Sequence, residues 1–267
     1  MKRIVSCLVT FALLFSPSGI LLAQDESEER EGRRQRLTPL DSDYWRYIAP
    51  RPRDLWGETR ETFSGWNPAA VAAAAGLAGG LAFLDNEMQK PWRRGDELLG
   101  HDITKIGDAL GNPGIQAGVM GATYTLGQYL GDEKMAEAGK AMAETMIFTS
   151  LTTLALKGAF HRRRPNDDRG IGSFPSWHAS ATFGNATVLA EYYGWKAAVP
   201  AYLLAIFVAW SRVEGNRHFV SDVVAGAAIG CIYGHAVSRY RMKNPLGITV
   251  EPVVMDEGAG VQARLAF

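Results

Sequence analysis

Six apolar stretches, each long enough for a helix and each followed by helix-breaking residues, constrain the fold of this chain more than any other feature. The residues that separate the stretches lie at 85–91, at Gly131-Asp132, in the loop 164–175, at Gly194 and at Gly215-Asn216. The apolar spacing within each stretch is helical. The stretches lie near 67–84, 112–131, 136–159, 176–193, 196–212 and 219–240.

Small residues recur at four-residue spacing within two of these stretches. Gly76 and Gly80 form one row, and Gly226, Gly230 and Gly234 form another. Rows of this kind let helix backbones approach closely, in membranes and in soluble bundles. The sequence therefore predicts an all-α fold, an antiparallel bundle of about six helices within a domain at 67–240.

Both ends of the chain differ from this domain. Residues 1–23 have a basic start, an apolar run and a small residue at Ala23, the layout of a secretory signal peptide, with an uncleaved membrane anchor as the alternative. Residues 24–66 form an arm whose polar first part is expected to be disordered. Alternating residues after a turn-like segment predict a short β-hairpin within the tail, 241–267.

Composition excludes several classes of protein. Lysine and arginine total 28 and so do aspartate and glutamate, so charge gives no sign of nucleic-acid binding. Only Cys7 and Cys231 are present, and Cys7 lies in the predicted signal peptide. The mature chain would then have neither an internal disulfide nor a zinc cluster built on cysteine.

The sequence leaves two relations to a bilayer open. Residues 62–84 and 109–131 carry no formal charge and are long enough to span one, whereas the charge-free run 197–211 is nearer to a buried core helix. The mean hydropathy of −0.08 is low for a six-span protein. An exported bundle that docks on a membrane is favoured over an integral one.

Three polar segments fall where helices end or begin. They are residues 157–165, 174–178 and 211–222. In an antiparallel bundle the ends of the third and fifth helices lie beside the starts of the fourth and sixth. Topology alone therefore brings Lys157, His178, Arg212 and His218 to one end of the bundle.

These residue types suit a phosphate group. Lys157, Arg164 and Arg212 provide cationic donors, and arginine can hold two phosphate oxygens at once. Pro175 and Ser176 stand where a helix would begin, with free backbone N–H groups directed at an anion.

The two histidines suit phosphoryl transfer. His218 and Asp222 are four residues apart and so share one helix face. A carboxylate bonded to one ring nitrogen leaves the other unprotonated and nucleophilic. His178 would then be the general acid for the leaving oxygen. Arg162 and Arg163 receive no role, because adjacent arginines are usually solvated.

The three segments resemble the motifs K-x6-RP, PSGH and SR-x5-H-x3-D of the type 2 phosphatidic acid phosphatase (PAP2) and vanadium haloperoxidase superfamily. The resemblance implies a metal-free phosphatase with a phosphohistidine on His218, which Asp222 orients, and with His178 as the acid. It also implies that the phosphoryl oxygens are held by Lys157, Arg164, Ser176 and Arg212. Trp177 stands where the family usually has glycine; its backbone N–H can still donate, but its indole narrows the site and bears on substrate choice.

We expect a substrate of the lipid phosphate class, such as phosphatidic acid or a polyprenyl diphosphate, and a place in the cell envelope, exported and associated with the membrane. If residues 24–66 were outside and all six stretches crossed, the catalytic end would face the cytoplasm, unlike bacterial lipid phosphatases of the family. Two alternatives remain: a vanadium-dependent haloperoxidase, usually a larger protein, and an envelope binding module without activity.

Overall fold

The computed structural model describes residues 52–62, 67–95, 99–166, 172–243, 249–255 and 258–264. This part of the chain is mostly helical, which confirms the coarse prediction of a helical fold. The predicted signal peptide lies outside the described residues. The helices are α1 Pro52–Thr62, α2 Asn67–Met88, α3 Lys90–Arg93, α4 His101–Leu110, α5 Pro113–Leu130, α6 Glu133–Phe160, α7 Trp177–Tyr193, α8 Trp195–Glu214 and α9 Val220–Lys243.

The six apolar stretches correspond to α2 and α5–α9, but the boundaries differ at α2. Residues 85–91 were predicted to break the first helix, whereas α2 continues to Met88 and Pro91 begins the short helix α3. Proline is tolerated in the first turn of a helix because the amide there has no intrahelical partner. Asp85 consequently lies within a helix.

Local capping explains where several of the long helices begin and end. Asn112 accepts a hydrogen bond from Gly114 N at 2.8 Å and Pro113 follows it, so α5 begins there. Gly131 ends α5 with φ of 70°, and the Asp132 side chain caps α6 by accepting from Met135 N at 3.0 Å. Polar groups at these turns therefore set the antiparallel reversal between α5 and α6.

Helix α7 packs against α6, α8 and α9 and has the most buried face. Gly230 of α9 lies so close to α7 that an added Cβ would be 2.7 Å from Gly184 N. The second glycine row thus serves the predicted close approach of two helices. The first row does not, because in the part of the chain described here Gly76 and Gly80 have nothing within 4 Å of an added Cβ.

The bundle end opposite the predicted site contains a buried ion-pair cluster. Arg241 near the end of α9 donates to both carboxylate oxygens of Glu144 and, at 2.7 Å, to Glu137. Glu144 is fully buried and Lys140 lies 2.8 Å from Glu137. This forked arrangement joins α9 to the first half of α6, because a guanidinium can hold two carboxylates in a fixed geometry.

Large apolar side chains cover much of the exterior, among them Phe83 at 89% exposure and Trp195 at 73%. Three helical segments are long and apolar enough to cross a bilayer: Pro68–Arg93, Trp195–Glu214 and Val220–Lys243. The segment around 197–211, judged too short from the sequence, is one of them, because the helix extends past the charge-free run at both ends. Exposed apolar surface of this extent is typical of contact with lipid.

Near the C-terminus two strands, β1 Thr249–Met255 and β2 Gly258–Arg264, pair in antiparallel orientation. The register places Thr249 opposite Arg264 and Met255 opposite Gly258. These strands pair with each other and form a separate two-stranded sheet.

Candidate active site

The residues predicted for catalysis come together at one end of the helices. The chain direction explains this, because two helices end and two begin at that end. Lys157 is in the last turn of α6, Arg164 in the α6–α7 connection, Ser176 at the N-cap of α7, Trp177 and His178 in its first turn, Arg212 in the last turn of α8, His218 in the α8–α9 connection and Asp222 in the first turn of α9.

His218 and Asp222 face each other in a buried position. His218 Nδ1 lies 3.6 Å from Asp222 Oδ2, slightly longer than a hydrogen bond, and the two residues are 2% and 0% exposed. The hydroxyl of Ser173 donates to the same oxygen of Asp222 and is 3.5 Å from His218 Nδ1. Because Nδ1 faces the carboxylate, Nε2 is the ring nitrogen left for another partner.

Both imidazoles are held in the neutral form. Burial lowers the pKa of His218 to about 4, and Arg212 and Lys157 act in the same direction while Asp222 opposes them. Burial also lowers the pKa of His178 to about 4, with Arg164 and Lys157 as further causes. At neutral pH each ring therefore has an unprotonated nitrogen. Lys157 acts on both rings, so the two histidines lie around one cation.

The cations of the site are partly engaged. Lys157 donates to the carbonyl of Gly172 and lies 3.4 Å from that of Ser173, and burial lowers its pKa to about 8. Arg212 is 6% exposed and pairs through Nη1 with Asp108, while its buried Nε has no hydrogen-bond partner among the described residues. Buried donors of this kind suit an anion, because an unpaired buried polar group costs free energy that a phosphate oxygen would recover.

The start of α7 contributes backbone donors. Ser176 is fully buried and its side chain accepts from Ala179 N at 3.5 Å, while its own amide donates to the Asp222 carbonyl at 2.9 Å. Trp177 begins the helix and its φ is not positive, so its side chain causes no backbone strain. The N-terminus of α7 is thus tied to the first turn of α9, which joins two parts of the site.

Helix α4, which sequence reasoning did not predict, forms one wall of the site. An added Cβ on Gly111 would lie 2.6 Å from the His178 ring and from Val208, and one on Gly107 would overlap Ser211. Asp108 from the same helix meets Arg212. The missed signal was the pair of glycines four residues apart, which marks a close approach.

Three further residues of the site were not predicted: Asp85, Arg162 and Ser173. Arg162 is only 25% exposed and pairs with both Asp85 and Asp222, so the expectation of a solvated arginine is wrong. Asp85 had a usable signal, since it is the first charged residue after a long uncharged apolar run. Among the described residues, no group of three or more His, Cys, Asp and Glu side chains is arranged to hold a metal ion.

Residues 138–246, which include every predicted site residue, match the model of the PAP2 superfamily. This part of the chain is similar to that superfamily. A transmembrane PAP2-type phosphatidylglycerolphosphate phosphatase from Bacillus subtilis has a similar fold, with a TM-score of 0.54 at 20% identity over 67% of this chain and 98% of that one.

Two curated proteins to which the chain is similar are named as lipid A phosphatases. The chain is 34% identical over 108 residues to a lipid A 1-phosphatase of Porphyromonas gingivalis and 34% identical over 116 residues to a lipid A 4'-phosphatase of Helicobacter pylori. Each alignment covers 38% of this chain. The alignments span 24% and 57% of the relatives' own lengths, so the likeness concerns the domain and not the whole proteins.

Proposed function

We propose that this protein is a phosphatase that removes phosphate from a phosphorylated lipid through a phosphohistidine on His218. The observation that carries the proposal is the meeting of two neutral imidazoles and three cationic side chains at one end of the helices. Lys157 lies near both His178 and His218, and Arg212 lies near His218. A site with these groups can bind a phosphate group, attack its phosphorus atom and protonate the leaving group.

In the first step Nε2 of His218 attacks phosphorus and the bond from phosphorus to the leaving oxygen breaks. Lys157, Arg164 and Arg212 stabilise charge on the equatorial oxygens, assisted by the backbone N–H groups at the start of α7. His178 gives its proton to the leaving oxygen. That proton arrives with the monoanionic substrate, since His178 is neutral in the free protein.

In the second step a water molecule attacks the phosphohistidine. His178, now neutral, takes the proton of that water, and the bond between phosphorus and Nε2 breaks to release inorganic phosphate. Asp222, whose Oδ2 lies 3.6 Å from His218 Nδ1, stabilises the positive charge that develops on the ring when it is phosphorylated. His178 then passes the proton that it took from water to the departing phosphate, and the chain returns to its starting protonation state.

A lipid substrate is supported by the surface around the site. Phe160, three residues after Lys157, is 62% exposed and packs against Phe174 with ring centroids 5.0 Å apart. Trp210, two residues before Arg212, is 40% exposed and contacts Trp92. Aromatic side chains at such positions suit the boundary between headgroups and acyl chains. The names of the curated relatives point to the same substrate class, with lipid A as a candidate beside phosphatidic acid and polyprenyl diphosphate.

We place the protein in the cell envelope, bound to a membrane through its apolar exterior, and retain export to the periplasm as part of the proposal. Three candidate spans support the membrane association. The accompanying fold proposal is an antiparallel arrangement of six main helices with the C-terminal hairpin as a flap beside it. Trp177 narrows the site compared with a glycine and so favours some headgroups over others.

The decisive experiment is a phosphate-release panel on the purified full chain in detergent. Lipid A, phosphatidic acid, a polyprenyl diphosphate and a water-soluble phosphomonoester are compared. We expect turnover of at least one lipid to exceed that of the soluble ester, and His218→Asn to abolish release from every working substrate. His101→Asn is the matched control, because His101 is exposed and lies in no motif.

Two results would contradict the proposal. Undiminished turnover by His218→Asn would exclude a phosphohistidine at this position. Hydrolysis of soluble esters alone, with none of the lipids cleaved, would exclude the lipid substrate while leaving the phosphatase activity in place.

A further inference from the structure

The guanidinium of Arg162 connects two buried carboxylates that come from different helices. Its Nη1 donates to Asp222 Oδ1 at 2.8 Å and its Nη2 donates to Asp85 Oδ2 at 2.7 Å. Asp85 and Asp222 are 1% and 0% exposed. The two carboxylates are 137 residues apart in sequence, and this side chain and Ser221 connect them.

Ser221 completes the link between the two carboxylates. Its hydroxyl accepts from Arg162 Nη1 at 2.7 Å and donates to Asp85 Oδ2, and its amide donates to Asp85 Oδ1 at 3.1 Å. Because Ser221 directly precedes Asp222, Asp85 holds the first turn of α9 in place. The Phe219 ring supports the guanidinium, whose central carbon is 4.2 Å from the ring centroid.

The two carboxylate oxygens of Asp222 therefore have different hydrogen-bond partners. Oδ1 accepts from Arg162, whereas Oδ2 accepts from Phe219 N at 2.9 Å and from Ser173 and is the oxygen nearest His218 Nδ1. A carboxylate with one oxygen bound to a fixed guanidinium cannot rotate freely. Arg162 is itself fixed through its carbonyl, which accepts from Ser173 N at 2.7 Å.

We propose that Arg162 and Asp85 form a positioning pair that fixes Asp222 and, through it, the orientation of the His218 ring. This inference rests on the proposed function, in which His218 is the nucleophile. Neither residue touches the reacting atoms. This arrangement suits arginine specifically, because a planar guanidinium can bind two separate carboxylates through different nitrogens and a lysine ammonium cannot hold them in one plane. The pair thus connects α2 and the α6–α7 loop to catalysis.

The charges around His218 make the pKa of its ring a test of this proposal that is separate from activity. Asp222 faces the ring from α9, Lys157 from α6 and Arg212 from α8, and Ser173 adds a hydroxyl. Arg162 offsets the charge of Asp222. Loss of the Arg162 charge leaves Asp222 more able to stabilise an imidazolium, so the pKa of His218 should rise. Loss of the Asp85 charge frees Arg162 to act on Asp222 alone, so the same pKa should fall or stay unchanged.

The test compares Arg162→Gln, Arg162→Lys and Asp85→Asn in the full chain, with Arg163→Gln as the matched control. Arg163 is the next residue, is exposed and belongs to no part of the site. The pKa of His218 is measured by NMR on histidine-labelled protein. The chain has only five histidines, and the His218 signal is identified by its loss in His218→Asn.

We expect Arg162→Gln to raise the pKa of His218 and Arg163→Gln to leave it unchanged. On a working substrate, Arg162→Gln should lower kcat roughly 10–100-fold, the loss that follows removal of partners that orient metal-bound side chains, with KM changed little. Arg162→Lys should bring the pKa back towards the wild-type value but recover kcat only in part, because it restores the charge and not the fork.

An unchanged pKa of His218 in Arg162→Gln would overturn the positioning pair. If that variant does not fold, Arg162→Lys and Asp85→Asn decide instead: a kcat equal to wild type in both would overturn the proposal. The NMR measurement requires no turnover. Absence of phosphate release by the wild-type chain would therefore refute the proposed function, while the titration would still show whether Arg162 acts on His218.

Discussion

Adding a single methyl group at Gly230 should destabilise this protein although it improves the helix. An alanine Cβ there would overlap the Ser180 carbonyl of α7 and lie 2.7 Å from Gly184 N, and both neighbours are backbone atoms that cannot rotate away. Gly76 provides the comparison, because it is also within a long helix but an added Cβ meets nothing within 4 Å.

The magnitude follows from subtracting the two variants. Both replace a helical glycine by alanine, which favours the helix by about 0.5–1 kcal/mol. Overpacking costs about 1–3 kcal/mol, and contact with backbone atoms places Gly230→Ala at the upper end of that range. The difference between the variants is then about 3 kcal/mol, which for a chain of this size corresponds to a Tm difference of roughly 6–12 °C.

Thermal unfolding in one detergent, followed by tryptophan fluorescence, measures this difference. We expect Gly230→Ala to unfold below wild type and Gly76→Ala at or above it. Equal midpoints for the two variants would refute the close packing of α7 against α9. A Gly76→Ala variant that is the less stable of the two would show that the first glycine row meets another surface.

Two further predictions concern the acid limb of activity and the remote ion-pair cluster. The value of kcat/KM for a phosphomonoester should rise as pH increases through about 4, because His218 becomes neutral there. It should fall above about 6, because the substrate loses the proton that His178 needs. A rise centred near pH 6.5 would contradict the burial of His218. Glu144→Ala should leave Arg241 buried with Glu137 as its remaining partner, and so destabilise the fold by about 3 kcal/mol without changing kcat. Denaturant unfolding measures the loss of stability, and kcat is measured on the same protein. A lower kcat in fully folded protein would contradict a purely structural role.

Helical stretches and motif spacing were readable from the sequence because both are local. Apolar periodicity located α2 and α5–α9, although the extension of α2 to Met88 and the presence of α4 were missed. Proline can begin a helix or end one, and the residue type alone does not distinguish these two roles. Only the conformation of the neighbouring turns does so. The short helix α4 lacks a long apolar run, so its presence at the site had no periodic signal.

The sequence by itself indicated which side chains are candidates for phosphoryl transfer. Through antiparallel topology, it also placed Lys157, His178, Arg212 and His218 at the same end of the helices. Tertiary structure alone decided what surrounds them. Asp108 meets Arg212 across 104 residues, and Arg162 meets Asp85 across 77. Such pairings depend on the rotation and depth of each helix, which burial of the whole core sets. Arginines that are alike in sequence therefore differ in role, as Arg162 and Arg163 do.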